Sequence, residues 1–404
     1  MSEKRLVVIG SGGQAFREYA LEAMAGEADL VLLENREPTW QKPHITDFRV
    51  VDPADVAALV EAVREVAPDG LLTYDESLVG TVALVAAEVG IAHTSPEAIR
   101  LCKDKSALRG HLAEAGLSPV RFAVAHTGQE AVDAAGRIGF PLVCKPLALG
   151  GSIGVVRADD EAGLREAFAI AATAKAGDGT ASKLAGVLLE EYLEGPEFSV
   201  DCVVWDGVAH PLVVAEKVLG FPPYFEELGH VVPAEPSPAI DEAVRLVREA
   251  HRAVGLDRLV THTEFRLTPD GPRIIEINVR LGGDLIPLLG KLASGVDLAA
   301  SAARVAVGLA PETGPLRSEV AAIVMVYPDR AYRVEGVRLR RDEAEYPGLE
   351  RLTTFLPPGT EVRLPPEGFL SRLGFAIVTG ADRRECLERR DAVAADLVVD
   401  GTPL

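Results

Sequence analysis

Acidic, amide and basic side chains alternate with apolar ones over residues 262–280, around a Pro-Asp-Gly turn. Proline presets φ at such a turn and glycine accepts positive φ, so the segment is predicted to be a β-hairpin. With the turn centred on Asp270, Glu264 lies opposite Glu276 and His262 opposite Asn278. Side chains alternate between the faces with a period of two residues. One face is predicted to carry His262, Glu264, Glu276, Asn278 and Arg280, and the other to carry Phe265, Ile275, Ile277 and Val279.

Two facing carboxylates favour a metal ion between them. Directly opposed residues of an antiparallel pair have Cβ atoms roughly 5 Å apart, and two carboxylates at that spacing repel each other unless a cation lies nearby. The oxygens of Glu264, Glu276 and Asn278 are hard ligands of the kind that Mg²⁺ prefers. The alternative is an ordinary exposed polar face, since Glu-x-Asn is short and common. The hairpin alone leaves both interpretations open.

A second segment, Lys145 followed by Gly150, Gly151, Ser152 and Gly154, has residue types that bind anions. The lysine follows an apolar strand-like run, and burying its charge without a partner would be costly. Glycines let backbone N–H groups approach an anion closely, and the serine hydroxyl can also donate a hydrogen bond. Strand-like residues follow, so a hairpin tip is predicted and not the strand–loop–helix of a P-loop. A tight turn without function is the alternative.

A third segment, Gly10-x-Gly12-x-x-Ala15, follows a buried strand, and Glu34 closes the next strand. This spacing approximates the fingerprint of a dinucleotide-binding fold. Many α/β domains that bind no nucleotide also need glycine at a tight strand-to-helix turn. NAD binding and a turn without a ligand are therefore both open at this point.

The elements that must position these segments fall into four predicted units. Strands alternate with helices over residues 1–95, which predicts a parallel sheet with crossover helices. Residues 96–190 are expected to form linker helices and a small lid, and residues 191–312 a catalytic unit that contains the hairpin. Residues 313–404 are expected to form a separate α+β unit without a catalytic constellation. The chain between Trp205 and Pro238 is expected to be loop-rich.

The composition excludes several classes of protein. The net charge of −20 over 404 residues argues against a general nucleic-acid or anionic-membrane partner. No apolar run is long enough to span a bilayer, and no signal-peptide pattern precedes the first strand. The 4 cysteines lack Cys-x-x-Cys spacing and are expected to be reduced packing residues. The expected location is therefore the cytoplasm.

Taken together and in their order along the chain, these segments resemble the ATP-grasp superfamily over roughly residues 1–310. The resemblance implies an ATP-grasp fold of mixed α/β and α+β units, with a Rossmann-like N-terminal domain and a small C-terminal α+β subdomain. It implies ATP and two Mg²⁺ ions as cofactors, with Mn²⁺ as an alternative ion. The N-terminal domain of such proteins generally binds no dinucleotide, and its glycine turn is expected to face the active-site cleft.

The resemblance also implies which residues bind the nucleotide. The lysines and the glycine hairpin would contact the phosphates, with Lys103 as an alternative to its neighbour Lys105. Glu190 and the backbone of Leu193 would hold adenine, and Glu197 would hold the ribose hydroxyls. The complete implied set is Lys105, Lys145, Gly150, Gly151, Ser152, Gly154, Glu190, Leu193 and Glu197.

Metal and catalytic roles follow from the same resemblance. Glu264, Glu276 and Asn278 would ligate the metal ions. Lys145 and Arg280 would be catalytic, with Arg280 steadying an acyl-phosphate transition state. Two metal ions and cationic side chains would neutralise a transferring phosphoryl group.

Within the superfamily the chain looks most like the L-amino-acid ligases of the bacilysin type, which form dipeptides. The segments T-H-T-E-F, E-I-N-V-R-L-G-G-D and E-L-G-H carry this likeness. It implies an ATP-dependent carboxylate–amine ligase that forms an amide bond through an acyl phosphate. The implied partners are small carboxylates and amines, amino acids in the closest group, and a homodimer is an open alternative. A ligase or carboxylase for non-amino-acid substrates is the alternative function.

The resemblance implies substrate contacts for five residues, one of which, Asp284, departs from the family pattern. Asp284 stands where the family can carry a bulky aromatic residue. An acid there either favours a basic or hydroxylated substrate or caps the helix that starts near Leu285. For His230 the alternatives are a metal ligand and a loop histidine, whereas His262 is expected to be a satisfied neighbour of the site. The implied contacts are Glu227, His230, Arg280, Gly283 and Asp284.

Overall fold

The computed structural model describes residues 4–175 and 184–404. Its N-terminal unit is a four-stranded sheet in the order β3-β2-β1-β4, and each neighbouring pair is parallel, as alternating strands and helices predict. The second helix begins after Asp55, whose carboxylate accepts a hydrogen bond from the backbone N–H of Ala58. The elements are β1 (Arg5–Ile9), α1 (Gln14–Ala25), β2 (Asp29–Glu34), β3 (Asp47–Val50), α2 (Val56–Val66), β4 (Gly70–Leu72) and α3 (Val79–Val89).

The next unit is a small lid built on a four-stranded sheet in the order β5-β8-β6-β7. Asp104 starts the second of its helices, because its carboxylate accepts hydrogen bonds from the backbone N–H groups of Ser106 and Ala107. The glycine segment joins two antiparallel strands, which confirms the predicted hairpin. The elements are α4 (Pro96–Lys103), α5 (Lys105–Glu114), β5 (Phe122–Ala125), α6 (Gly128–Ile138), β6 (Leu142–Pro146), β7 (Val156–Ala158), α7 (Glu161–Thr173) and β8 (Val187–Glu191).

The catalytic unit follows, and here the expected loop-rich stretch is wrong. Residues 208–220 and 226–232 are strands, and they pair with each other in antiparallel fashion. Prolines and glycines around residues 221–223 mark only the connection between them. The elements are β9 (Glu197–Trp205), β10 (Val208–Gly220), β11 (Glu226–Val232), α8 (Pro238–Val254), β12 (Leu259–Thr268), β13 (Gly271–Asn278), α9 (Ile286–Ser294) and α10 (Leu298–Ala306).

The sequence predicted a separate α+β unit for the C-terminal residues, and the structure joins this unit to the catalytic unit through a shared sheet. Three of their strands continue the sheet of the catalytic unit, which has eight strands in the order β13-β12-β9-β10-β11-β14-β18-β16. The remaining strands form a small sheet in the order β17-β15-β19. The elements are β14 (Val320–Val326), β15 (Tyr332–Leu339), β16 (Leu349–Thr354), β17 (Thr360–Val362), β18 (Gly374–Gly380), α11 (Arg383–Asp396) and β19 (Leu397–Pro403).

The polar hairpin has the predicted register, with Glu264 paired to Glu276 and His262 paired to Asn278. A bulge after Glu264 then shifts the pairing by one residue. Because of this bulge Ile274, and not Ile275, enters the core. Ile275 instead lines the cleft described below.

The N-terminal unit packs closely against α10 of the catalytic unit. A Cβ atom at Gly70 would lie 2.0 Å from the carbonyl oxygen of Ala306, so only glycine allows this approach. Side chains of α1, α9, α10 and the central sheet share one apolar core. The cysteines at 102, 144, 202 and 386 are buried free thiols, as predicted. None of the helices in the described part of the chain combines the length and the hydropathy needed to cross a membrane.

Candidate active site

Residues of the lid and of the catalytic unit line one cleft with about 710 Å³ of empty space. Side chains from α5, β6, β8, β12 and β13 meet there, although they are far apart in the sequence. Of the predicted nucleotide and metal residues, the cleft is lined by Lys105, Lys145, Gly150, Gly151, Ser152, Glu190, Leu193, Glu197, Glu264 and Glu276.

Glu190 lies at the buried end of this cleft between two cations. Its carboxylate accepts a hydrogen bond from Arg109 Nε at 2.5 Å and pairs with Lys145 Nζ. Burial alone would raise the pKa of Glu190, but Arg109 and Lys145 lower it to about 2. Arg109 also donates to the carbonyl oxygens of Ile274 and Ile275, which ties α5 to β13. No local pattern marks Arg109 as a site residue, because its partners are more than 80 residues away.

Lys105 connects the glycine hairpin with the polar hairpin that carries Glu264 and Glu276. Its Nζ donates to the carbonyl oxygen of Leu149 at 3.0 Å and lies 3.2 Å from Glu276 Oε2. The alternative contact, Lys103, pairs with Glu76 at 2.5 Å and does not line the cleft. Gly154, which was predicted to bind nucleotide, also lies outside the cleft lining, because it packs against Pro146 and Ala174.

The facing carboxylates of Glu264 and Glu276 are paired with Lys217 and Lys105 respectively, and Glu276 also accepts from the amide of Asn278. Lys217 Nζ lies 3.0 Å from Glu264 Oε2, and Asn278 Nδ2 donates to Glu276 Oε1 at 2.8 Å. Burial would raise the pKa of Glu276, but Lys105 and Asn278 hold it well below its usual range. The donor set of two carboxylates and an amide consists of hard oxygens, which fits Mg²⁺. Asn278 itself does not line the cleft.

Lys217 is a site residue that the sequence analysis missed. Its side chain is 1% exposed, and Nζ lies 3.0 Å from Glu197, 3.1 Å from Glu227 and 3.0 Å from Glu264. Burial would lower the pKa of Lys217, but the three carboxylates raise it well above its usual range. The alternation of β10 was the available signal, since Val213, Ala215 and Lys217 share one buried face. The prediction of a loop between Trp205 and Pro238 disregards this alternation.

His262 lies on the polar hairpin, and both of its ring nitrogens have partners, as predicted. Its Nδ1 lies 2.5 Å from Asp201 Oδ1, and its Nε2 lies 3.3 Å from Glu264 Oε1. Burial lowers the pKa of His262, but Asp201 and Glu264 outweigh burial and raise it to about 10. The charged form of His262 is therefore favoured, and it stabilises the carboxylate of Glu264.

A second group of charges adjoins the cleft at Glu227. His230 Nε2 lies 3.2 Å from Glu227 Oε2 and 3.1 Å from Asp284 Oδ2, so the predicted substrate residues do meet. Asp284 is not the helix cap, because the residue before α9 is Leu285 and no side chain caps this helix. Arg372, from the loop before β18, pairs with Asp284 instead. The C-terminal residues therefore reach the predicted substrate residues through Arg372.

Arg280 and Gly283 lie outside the lining of the nucleotide cleft. Arg280 Nε donates to Glu76 Oε2 at 2.8 Å, and its NH1 donates to the carbonyl oxygen of Leu281 at 2.7 Å. Glu76 also holds Lys103, so a loop of the N-terminal unit orients Arg280. A Cβ atom at Gly283 would meet no atom within 4 Å, which leaves open space beside Asp284.

The N-terminal glycine turn is occupied by the protein's own carboxylate. The backbone N–H and the hydroxyl of Ser11 donate to Glu34 Oε2 at 3.0 and 2.7 Å. In a dinucleotide fingerprint this acid would bind a ribose hydroxyl. Here it holds the turn itself, which favours the interpretation without NAD. The sequence predicted that this turn faces the active-site cleft. Gly10 and Gly12 instead line a separate cavity with Asp75 and Ser77.

Comparison with known proteins places this geometry in a family. Residues 138–287 match the ATP-grasp domain, and residues 324–400 match the L-amino acid ligase C-terminal domain 2. The fold is similar to that of an L-amino acid ligase from Bacillus licheniformis, with a TM-score of 0.83, 21% identity and full coverage of both chains. It is also similar to phosphoribosylglycinamide synthetase from Anaerococcus prevotii, with a TM-score of 0.73, 17% identity and coverage of 99% of this chain and 100% of that one.

Curated relatives share sequence over most of this chain but are longer. Carnosine synthase 1 of Gallus gallus is 30% identical over 335 residues, which are 76% of this chain and 36% of that protein. The uncharacterised protein y4rH of Sinorhizobium fredii is 29% identical over 318 residues, which are 78% of this chain and 64% of that protein. This chain thus spans less than two thirds of each. The chain thus contains an ATP-grasp domain and an L-amino acid ligase C-terminal domain 2, and its fold is that of an L-amino acid ligase.

Proposed function

We propose that the protein is an ATP-dependent carboxylate–amine ligase that joins two amino acids through an acyl phosphate. One observation carries the proposal: paired carboxylates, two lysines and a glycine hairpin line the same cleft. This combination of charges suits a nucleoside triphosphate with its divalent cation. The matches to an ATP-grasp domain and to an L-amino acid ligase domain support the same assignment.

ATP would lie with its phosphates between the glycine hairpin and the polar hairpin. Lys145 and Lys105 would contact the phosphates, since both line the cleft beside the glycines. The adenine would lie along Glu190 and Leu193, and the ribose hydroxyls would bind Glu197. Glu264, Glu276 and Asn278 would hold Mg²⁺, which supplies positive charge to the transferring phosphoryl group. The hairpin of the lid would exclude water from the reactive acyl phosphate.

The substrates would bind between Glu227 and Arg280. Glu227 and His230 would receive the ammonium group of the first amino acid, and Arg280 would lie beside its carboxylate. That carboxylate attacks the γ-phosphorus of ATP, so ADP leaves and an acyl phosphate forms. The amine of the second amino acid then attacks the acyl carbon, phosphate leaves, and one proton is released. Positioning and charge stabilisation provide most of the catalysis in such a reaction.

Phosphate release from ATP in the presence of amino-acid pairs tests the proposal. Purified protein with Mg²⁺ is incubated with each pair of standard amino acids, and products are identified by mass spectrometry. Amide formation with one ADP and one phosphate per product is expected. Glu276→Ala should abolish turnover, because it removes a metal ligand opposite Glu264. Phosphate release with non-proteinogenic acids or amines only would redirect the assignment to other substrates. ATP-dependent turnover that survives Glu276→Ala would remove the metal role.

A further inference from the structure

The C-terminal unit reaches the substrate end of the site through Arg372. This side chain is 9% exposed, and its NH1 pairs with Asp284 Oδ1. Its Nε donates to the hydroxyl of Tyr327 at 3.0 Å. Burial would lower the pKa of Arg372, but Asp284 and its neighbours raise it further above its usual range. The guanidinium is therefore a fixed charge with two partners from different units.

The backbone around Arg372 is also held in place. The hydroxyl of Tyr327 donates to Glu226 Oε2 at 2.7 Å, and the backbone N–H of Leu370 lies 3.2 Å from both oxygens of the same carboxylate. The hydroxyl of Ser371 donates to the carbonyl oxygen of Arg363. A long side chain normally loses much freedom when it is held in one geometry. Here the surrounding bonds present Arg372 to Asp284 in advance.

Asp284 uses both of its oxygens within the protein. Oδ1 pairs with Arg372, and Oδ2 lies 3.1 Å from His230 Nε2. His230 continues to Glu227 Oε2 at 3.2 Å, so a continuous chain of charges runs from the C-terminal unit to the cleft. Burial would raise the pKa of Asp284, but Arg372 above all lowers it. The charge of Asp284 is therefore offset within the protein, with one partner on each oxygen.

A metal ion is the alternative explanation of this cluster. Ligand atoms of Glu227, His230 and Asp284 lie within 4.8 Å of one another. Two cations already hold the carboxylates, however, since Lys217 lies 3.1 Å from Glu227 and Arg372 pairs with Asp284. His230 Nε2 lies within hydrogen-bonding distance of both carboxylates, so the imidazole itself occupies the space between them. The geometry therefore favours an ion-pair network without metal.

We propose that Arg372 is a positioning residue of the amino-acid subsite, which holds Asp284, His230 and Glu227 in place and directs the site towards a first substrate with an uncharged side chain. The inference rests on the proposed function, because it assumes that Glu227 and His230 receive the substrate's ammonium group. Arg372 neutralises Asp284, which follows Gly283, and a Cβ atom at Gly283 would meet open space. The paired carboxylate of Asp284 therefore offers little attraction to a lysine or ornithine side chain.

Arg372→Met, compared with Arg338→Met, tests the inference. Arg338 lies in the same unit but pairs with Asp400 at the surface, where it is 58% exposed. For each variant kcat and KM are measured for ATP, for the neutral amino acid that wild type prefers, and for lysine. In Arg372→Met the KM for the neutral amino acid should rise about tenfold, while the KM for ATP stays within about twofold. The preference for lysine, as a ratio of kcat/KM values, should rise about tenfold, because Asp284 gains a free oxygen.

Two further variants make the result decisive. Arg372→Lys keeps the charge and should restore most of the amino-acid KM, which loss of folding would not explain. If Arg372→Met is insoluble, Asp284→Asn removes the same pair from the other side and should raise the amino-acid KM without raising the ATP KM. Equal rises in both KM values, or Arg372→Met values equal to those of Arg338→Met, would overturn the inference. So would one bound metal ion per chain that is lost in His230→Asn.

Failure of the proposed function has a different signature. Wild-type protein would then release no phosphate with any amino acid, and the inference would fall with it. Amino-acid-dependent turnover in wild type, together with unchanged kinetics in Arg372→Met, would leave the ligase assignment standing and reject only the role of Arg372.

Discussion

The turn after β1 and the hairpin after β6 both use glycines with positive φ, but their surroundings differ in charge. Gly10 and Gly12 have φ values of 75° and 64°, and Gly151 has a φ value of 68°. In the first turn Glu34 accepts the hydrogen bonds of Ser11, so an internal anion fills the place of a ligand. In the second, Lys105 and Lys145 lie along the same cleft as the glycines.

This difference shows why a glycine spacing alone does not identify a phosphate site. Glycines allow N–H groups to converge on an anion, but they do not decide whether that anion is a ligand or a side chain. The charge of the neighbouring residues decides it. In the first turn the anion is Glu34, which lies 23 residues from Ser11 in the sequence. In the second turn the neighbouring lysines make the site suitable for a phosphate.

The largest expected effect comes from Lys105→Met, which removes a cation from the hairpin that we propose binds phosphate. Lys105 connects the carbonyl oxygen of Leu149 with Glu276. Loss of one charged donor at a transition state typically costs about 100-fold in kcat, and a loss of this size is expected. Steady-state phosphate release measures it. Lys291→Met, which removes a surface lysine paired with Asp297, is the control and should leave kcat unchanged.

A smaller effect separates the two turns directly. Gly151→Ala and Gly12→Ala both place a methyl group where φ is positive, so each should lower the free energy of unfolding by about 1 kcal/mol. Only Gly151→Ala should raise the KM for ATP, by about fivefold, because its methyl group would lie 3.0 Å from Leu370 Cδ1 and would displace the hairpin that lines the cleft. Chemical denaturation and ATP titrations give both quantities. A similar rise in KM for Gly12→Ala would contradict the distinction.

The smallest effect is expected for Glu34→Gln. The variant replaces a charged acceptor of Ser11 by a neutral one, so about 1 kcal/mol of unfolding free energy should be lost. The KM for ATP should not change, and no affinity for NAD should appear. Glu37→Gln, at an exposed position of the same loop, should be neutral in both respects. Impaired ATP binding in Glu34→Gln alone would place the first turn in the nucleotide site after all.

Local pattern predicted the parts of the site that lie on one hairpin. A period of two residues and the Pro-Asp-Gly turn were enough to pair Glu264 with Glu276, because these constraints act over fewer than 20 residues. The bulge after Glu264 depends on how the hairpin packs, and it moved Ile275 from the predicted core to the cleft. No feature of the local sequence marks it.

The missed residues are those whose partners are distant. Lys217 lies within a strand and Arg372 within a loop, and each becomes informative only when a carboxylate from another element lies beside it. Asp284 illustrates the same limit, since an acid just before a helix predicts a cap. In the structure tertiary ion pairs take its carboxylate instead. Electrostatic pairing of this kind is set by the fold and not by the neighbouring residues.

The pairing of β11 with β14 has a consequence for how the protein is synthesised. The strand that carries Glu227 and His230 stays an open edge until residues 320–326 have emerged from the ribosome. An open edge exposes unpaired N–H and C=O groups that can pair with another chain. A chain shortened before β14 would therefore be prone to aggregation as well as lacking Arg372. The last fifth of the polypeptide thus protects the newly made sheet and completes the substrate end of the site.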